Sequence, residues 1–194
     1  MWRKNYGFWR DRTSMQLTLV PEEAGVLGGL AEAMLALVGP VSEAQPSVDP
    51  FDQLVDLSDE VQPPMEPTDP AVHRLFPNAY GDDDAEAAAD FRRFTEQGLR
   101  QLKAARLATV ERLVAEFGVP GADAKTVEIT DDDAEVFLGA MNDMRLVLGS
   151  RLDITTDDDE VGASWDPDDP RHHQYDVYQW VTWLQSTLLE VMVK

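Results

Sequence analysis

Three stretches of this 194-residue chain hold side chains whose types and spacing could do chemistry. His172 and His173 stand among Asp168, Asp169 and Asp176, donors of the kind that bind a divalent metal. Adjacent imidazoles on an extended segment point apart, and no cysteine or H-x-x-x-H spacing adds further ligands. Just upstream, Asp157-Asp158-Asp159-Glu160-Val161-Gly162 imitates the start of a calcium loop, with carboxylates at the first and third positions and glycine at the sixth. Its fifth position is Val161, and its twelfth is Asp168 where a bidentate glutamate is expected. The two stretches therefore read as one solvated acidic loop, residues 155–171. A metal-binding or hydrolytic role for the segment from Asp157 to His173 is the alternative reading. No metal or cofactor is expected.

The third stretch is Met141-Asn142-Asp143-Met144-Arg145-Leu146-Val147-Leu148-Gly149-Ser150-Arg151-Leu152, an apolar helical pattern interrupted by polar residues. Asn142 and Arg145 fall at a three-residue step, on one face of a helix. Arg145 and Arg151 are expected to pair with Asp143, Asp176 or the acidic loop. Such a cluster is either a recognition site or a polar clasp that fixes helix register. Partly buried charges are most often structural pairs, so the clasp is the expectation.

Other catalytic patterns are missing. There is no glycine-rich phosphate loop and no serine in a nucleophile elbow. The aspartate runs at 82–84 and 131–133 sit where helix starts call for negative charge. None of the paired carboxylates has the apolar setting that general acid catalysis needs. With no cysteine, thiolate nucleophiles, disulfides and thiol redox sensing are excluded for this chain. The chain is expected to be non-enzymatic.

The elements that must position these residues follow from periodicity. Residues 6–10 and 15–20 flank the turn Asp11-Arg12-Thr13-Ser14, and Met15, Leu17 and Leu19 alternate with polar residues, which predicts a β-hairpin. Pro21, Glu22 and Glu23 open a helix that Gly39-Pro40 ends, although Gly25, Gly28 and Gly29 weaken it. Residues 40–68 form an acidic, proline-rich connecting segment, within which Phe51, Leu54, Val55 and Leu57 suit a short docked helix. Asp69-Pro70 starts a short helix that turns Val72, Leu75 and Phe76 inward and stops at Pro77.

A long helix is expected over 84–117, with Phe91, Phe94, Leu99, Leu102, Val110, Leu113 and Phe117 on the buried face and a break near Gly98. Residues 126–129 should join the hairpin as a third strand. Thr130 then caps a helix whose inner stripe is Phe137, Ala140, Met141, Met144, Leu148 and Leu152. A last helix over 174–193 buries Trp180 with Leu184 and leaves Tyr178 and Trp183 exposed, as a contact if the chain is a structural subunit of a larger complex. The fold expected is mainly α: a single helical domain, residues 1–194, with a small N-terminal antiparallel hairpin or three-stranded sheet.

Charge narrows the partners. Sixteen Lys and Arg face 37 Asp and Glu, a formal net charge of −21. A polyanion such as nucleic acid, or an anionic lipid surface, would be repelled over most of the molecule. No apolar run approaches the ~20 residues of a membrane span. The first twelve residues lack the continuous apolar stretch of a signal peptide, so a cytoplasmic location is expected. The partners that charge permits are proteins with basic surfaces.

Several blocks together resemble a known family. They are Arg74-Leu75-Phe76-Pro77-Asn78-Ala79-Tyr80 with Ala89-Asp90-Phe91-Arg92-Arg93-Phe94-Thr95-Glu96, the Met141 to Leu152 stretch, and Tyr175-Asp176 through Trp183-Leu184-Gln185. The chain resembles the actinobacterial family called "domain of unknown function 2017". That resemblance implies a cytoplasmic, non-enzymatic protein, and for some members an auxiliary oxidative-stress regulator that acts by binding a sigma factor. The family defines no catalytic residues to carry over. Redox sensing in such members is attributed to cysteines, which this chain lacks.

Overall fold

The alternation of Met15, Leu17 and Leu19 does what a two-residue period requires: all three are buried on one face of a strand, against the helices. The computed structural model describes residues 5–12, 14–39, 68–77, 85–155, 165–166 and 168–193. Strands β1 (Gly7–Asp11), β2 (Ser14–Leu19) and β3 (Lys125–Ile129) form an antiparallel sheet in the order β1-β2-β3. In its register Leu17 stands opposite Phe8 on one side and Val127 on the other. On the outer face, Thr18 Oγ1 meets Thr126 Oγ1 at 2.8 Å and accepts from Trp9 Nε1 at 2.9 Å.

Among the described residues there are five α-helices: α1 (Pro21–Val38), α2 (Pro70–Leu75), α3 (Ala85–Val114), α4 (Asp131–Arg151) and α5 (Arg171–Met192). A 3₁₀ turn, Ala115–Phe117, extends α3. Helix α1 lies along α3, α2 along α4, and α4 packs on both α3 and α5, which in turn holds β1. The core joins Phe8, Leu17 and Leu19 of the sheet to Leu27 and Met34 of α1, Leu107 and Val110 of α3, Phe137 and Met141 of α4, and Leu184 and Leu188 of α5. Phe8 and Phe137 meet edge-on with centroids 5.4 Å apart.

Local signals explain the boundaries. Asp69 Oδ1 accepts from the Ala71 N–H at 2.9 Å to cap α2, and Thr130 Oγ1 accepts from the Asp133 N–H at 3.1 Å to cap α4. At the start of α1, Glu23 Oε2 accepts from the Val20 N–H at 3.2 Å and also from the Tyr6 hydroxyl. The glycines of α1 are tolerated because the helix is packed: a Cβ on Gly28 would sit 3.4 Å from Val114 Cγ2 of α3.

Three expectations change. Phe91, Phe94, Leu99 and Leu102 are exposed, Phe94 to 73% and Leu102 to 47%. Three- and four-residue steps occur along more than one stripe of a long helix, and the stripe of α3 that turns inward carries Ala88, Glu96, Arg100, Lys103, Leu107 and Val110 instead. Helix α3 runs unbroken through Gly98, where an added Cβ would meet nothing within 4 Å. Helix α5 begins at Arg171 rather than 174. The short helix expected around Phe51 to Leu57, most of segment 40–68 and the core of the acidic loop lie outside the described residues.

Candidate functional site

The three-residue step between Asn142 and Arg145 places both on one face of α4, where the helix passes α2 and α5. There they line a cavity of about 320 Å³ with Arg74 of α2, Gly149 of α4, Thr155 just after α4, and Tyr178 of α5. Arg145 is half-buried and held by three residues of α5. Its Nε donates to Thr182 Oγ1 at 2.9 Å, and its Nη1 to Gln185 Oε1 at 2.8 Å. The guanidinium carbon lies 5.7 Å from the centroid of the Tyr178 ring. A Cβ at Gly149 would lie in ordinary van der Waals contact with Tyr178 Cε2, at 3.7 Å.

The other expected site residues lie elsewhere. Asp143, only 4% exposed, accepts from Lys103 Nζ of α3 at 2.6 Å. Arg151 Nη2 donates to Asp69 Oδ2 at 2.6 Å and ties the end of α4 to the cap of α2. That hydrogen bond, with the one from the Ala71 N–H, holds the Asp69 carboxyl below the usual carboxylate range. Asp176 is exposed and has no polar partner among the described residues. The expected pairing of Arg145 with Asp143 fails for a geometric reason. Residues two apart on a helix point about 200° apart around its axis. Four of the five residues therefore fall into three separate arrangements, and Asp176 joins none of them.

Sequence reading missed a second polar network. Glu96, 5% exposed, accepts from Arg100 Nε at 2.9 Å and Nη2 at 2.6 Å. Arg100 lies over the Phe76 ring, 4.5 Å from its centroid, and also donates to the Val38 carbonyl. Helix α1 has no basic residue in its own last turn, so Arg100 supplies the positive charge its C-terminus favours. The signal was present in the sequence: Glu96, Arg100 and Lys103 stand at helical spacing that continues into Leu107 and Val110. Each charge in this network faces an opposite charge or a carbonyl, which makes it a brace between helices.

The match to known proteins now settles kinship. The family described as "Domain of unknown function (DUF2017)" matches residues 4–192. The chain belongs to the DUF2017 family. It is 30% identical over 195 residues to proteins of Mycobacterium bovis and Mycobacterium tuberculosis, each named oxidative stress regulator AosR, covering 95% of this chain and 84% of theirs. A Mycobacterium leprae relative is 31% identical over 180 residues, 88% of this chain and 79% of its own. No solved structure matches the chain.

In this DUF2017 chain, the blocks that carry the family resemblance converge on the arginine pocket. Arg74 comes from the first, Asn142 and Arg145 from the second, and Tyr178 from the third. Next to the pocket, the last part of the acidic loop is tied to α5 by rings. Trp165 meets His172 and Tyr175 edge-on at 5.5 and 5.8 Å, and Tyr175 stacks on Tyr178 at 6.2 Å. Arg171 lies 4.6 Å from the Trp165 centroid, and its hydrogen bonds lower the Asp169 carboxyl to about 2. His172 Nε2 is 3.1 Å from the Asp166 carbonyl, while His173 is exposed.

Among the described residues, no group of three or more His, Asp or Glu is placed to hold a metal ion. The calcium-like run Asp157 to Gly162 lies outside them. Tyr178 and Trp183, expected to be exposed, are both half-buried. Trp183 stacks near Tyr6 at 6.4 Å and closes over the backbone of Gly7, where a Cβ would come within 2.9 Å of Cη2. The turn into the hairpin, not the helix stripe, decides that contact.

Proposed function

We propose that this protein is a non-enzymatic, cytoplasmic protein-interaction module, a transcription-linked stress regulator that binds a basic surface on a sigma factor or a similar protein. The observation that carries this reading is the exposed apolar side of α3. Phe94 and Leu102 lie on the surface of a helix whose inward side is braced by charges. Solvent-facing aromatic and aliphatic side chains gathered on one face of one helix are what partner recognition uses. Beside them, a cleft of about 360 Å³ runs between α3 and α4, with Leu102, Ala105 and Val136 apolar and Asp132 and Glu135 acidic. Arg106 also lines it, so the cleft is not uniformly negative. The occupant that fits is an amphipathic segment with apolar anchors and a net basic face. The −21 charge of the whole chain would speed its arrival and make binding salt-sensitive.

The names of the relatives support a regulatory role. Among the described residues no helix is long and apolar enough to cross a membrane. An oxidative input cannot be a thiol here, because the chain has no cysteine. Met141 and Met144 are buried, so sulfoxide at either would damage packing before it changed a surface.

The test is binding of purified sigma factors at low and high salt, with the wild type and with Phe94→Asp and Leu102→Asp. Binding that weakens with salt and is lost in both variants supports the reading. No binding at either salt, or equal binding by the variants, overturns it. Mild peroxide should leave the affinity unchanged, with mass spectrometry scoring methionine oxidation; a reversible loss that tracks one exposed methionine would reverse that expectation.

A further inference from the structure

We propose that the pocket between Arg74 and Arg145 is a binding site for a small oxyanion ligand, one that presents a carboxylate or a phosphate. The inference starts from charge placement. The chain has 37 acidic residues, yet none of the described residues lining this cavity is Asp or Glu. Two are arginines, and Asn142, Thr155 and Tyr178 add neutral polar groups.

The state of the two arginines distinguishes them from the other cations that hold the helices together. Arg100, Lys103 and Arg151 each meet a carboxylate at 2.6 Å. Arg145 meets none among the described residues. Its Nε and Nη1 are held by the neutral oxygens of Thr182 and Gln185, and its face by Tyr178. Those contacts fix the direction of the guanidinium without neutralising it, and they leave Nη2 without a partner among the described residues. Arg74, in the last turn of α2, has no ion pair among the described residues either. A half-buried guanidinium kept charged and oriented by neutral groups is a prepared donor, because the orientation is set before a ligand arrives.

The ligand class follows from donor geometry. A planar guanidinium offers a fork that matches the two oxygens of a carboxylate or phosphate. A cavity of about 320 Å³ is within the size range of small-molecule sites. Tyr178 is already in contact with the Arg145 guanidinium and stacked on Tyr175. Recognition would rest on charge and hydrogen bonds. This site is separate from the apolar side of α3, and its test does not depend on the protein partner.

The experiment titrates the purified full chain with two probes, inorganic phosphate and succinate, by calorimetry and by NMR of the arginine Nε–H resonances. Saturable binding of either probe that shifts the Arg145 Nε–H supports the proposal, and the probe that binds more tightly identifies the oxyanion. Arg74→Gln, an exposed position, should fold normally and weaken binding by about tenfold or more, the loss of one charge-assisted hydrogen bond. Arg145→Lys should weaken it further while keeping the charge, because the fork is lost. Failure of both probes to saturate, or unchanged affinity in Arg74→Gln, overturns the proposal. So does binding that appears only after Asp157, Asp158, Asp159 and Glu160 are all replaced by their amides, since the occupant would then be the chain itself.

Discussion

The two halves of α3 share one inward stripe and fill it with opposite chemistry. In the C-terminal half the stripe is Leu107, Val110 and Val114, all buried in the common core. In the N-terminal half the same spacing carries Glu96, Arg100 and Lys103, while Phe91, Phe94, Leu99 and Leu102 turn to solvent. The first half is stabilised by removing apolar surface from water, at roughly 25 cal/mol per Å². The second depends on partners reaching in from elsewhere: Asp143 from α4, the Val38 carbonyl from α1, and the Phe76 ring from the end of α2. The difference teaches that an exposed apolar stripe can be the cost of a polar brace on the opposite side of the same helix. It also leaves that stripe open to the partner proposed above.

The largest expected effect breaks the brace. Lys103→Met leaves the buried Asp143 without its cation and should lower stability by about 3–5 kcal/mol in urea unfolding. Adding Asp143→Leu in the same chain should recover most of that loss, because a pair replaced by apolar side chains needs no desolvation. A double variant no better than the single would mean that the brace also sets the helix packing.

The apolar half gives a loss of similar or smaller size. Leu107→Ala should cost about 2–5 kcal/mol, since it empties a fully buried site. Phe94→Ala, on the exposed side of the same helix, should change stability by no more than about 0.5 kcal/mol. Equal losses at the two positions would erase the contrast between the halves.

A control away from α3 tests close packing without any charge. Gly7 has φ +71, and a Cβ there would press on Trp183 and Thr187 of α5. Gly7→Ala should cost about 1–2 kcal/mol from the left-handed backbone alone, and more if Trp183 cannot shift. Tryptophan fluorescence during unfolding reads both. A neutral result would show that β1 moves freely against α5.

The smallest effect contrasts an exposed pair with the buried brace. Arg171 holds the Asp169 carboxyl at about 2, below an unfolded value near 4. The native state therefore favours the ionised form. The resulting stability is fully present above the unfolded value and is lost as the pH falls through the folded one. The melting temperature should drop slightly more between pH 4 and pH 2 in the wild type than in Asp169→Asn. Arg171 is exposed and Asp169 is half-buried at the surface, so added salt should shrink the difference. A difference as large as that of Lys103→Met would place this pair with the braces.

Signals that act within a few residues were legible in the sequence. The hairpin and the buried face of its second strand followed from the alternation of Met15, Leu17 and Leu19, and the helix starts from Asp69, Pro21 and Thr130. The shared face of Asn142 and Arg145 followed from their three-residue step, and the pocket confirms that they stand together. Kinship was legible as well, because it rests on residue order alone.

What the chain by itself determined, then, is where most of its elements begin and end, the period of each, its family and its acidic charge. Which stripe of α3 turns inward was decided only when α1, α2 and α4 closed on it. Two stripes have helical spacing, and the one that found Asp143, Phe76 and the Val38 carbonyl was the one whose charges could be paired. The same is true of Arg145. Helix geometry set its direction, but Thr182 and Gln185, about forty residues away in sequence, decided that it would be held by neutral oxygens and keep its charge. Spacing is a property of the local backbone, whereas a partner is a property of the packing, and a buried charge is defined by its partner.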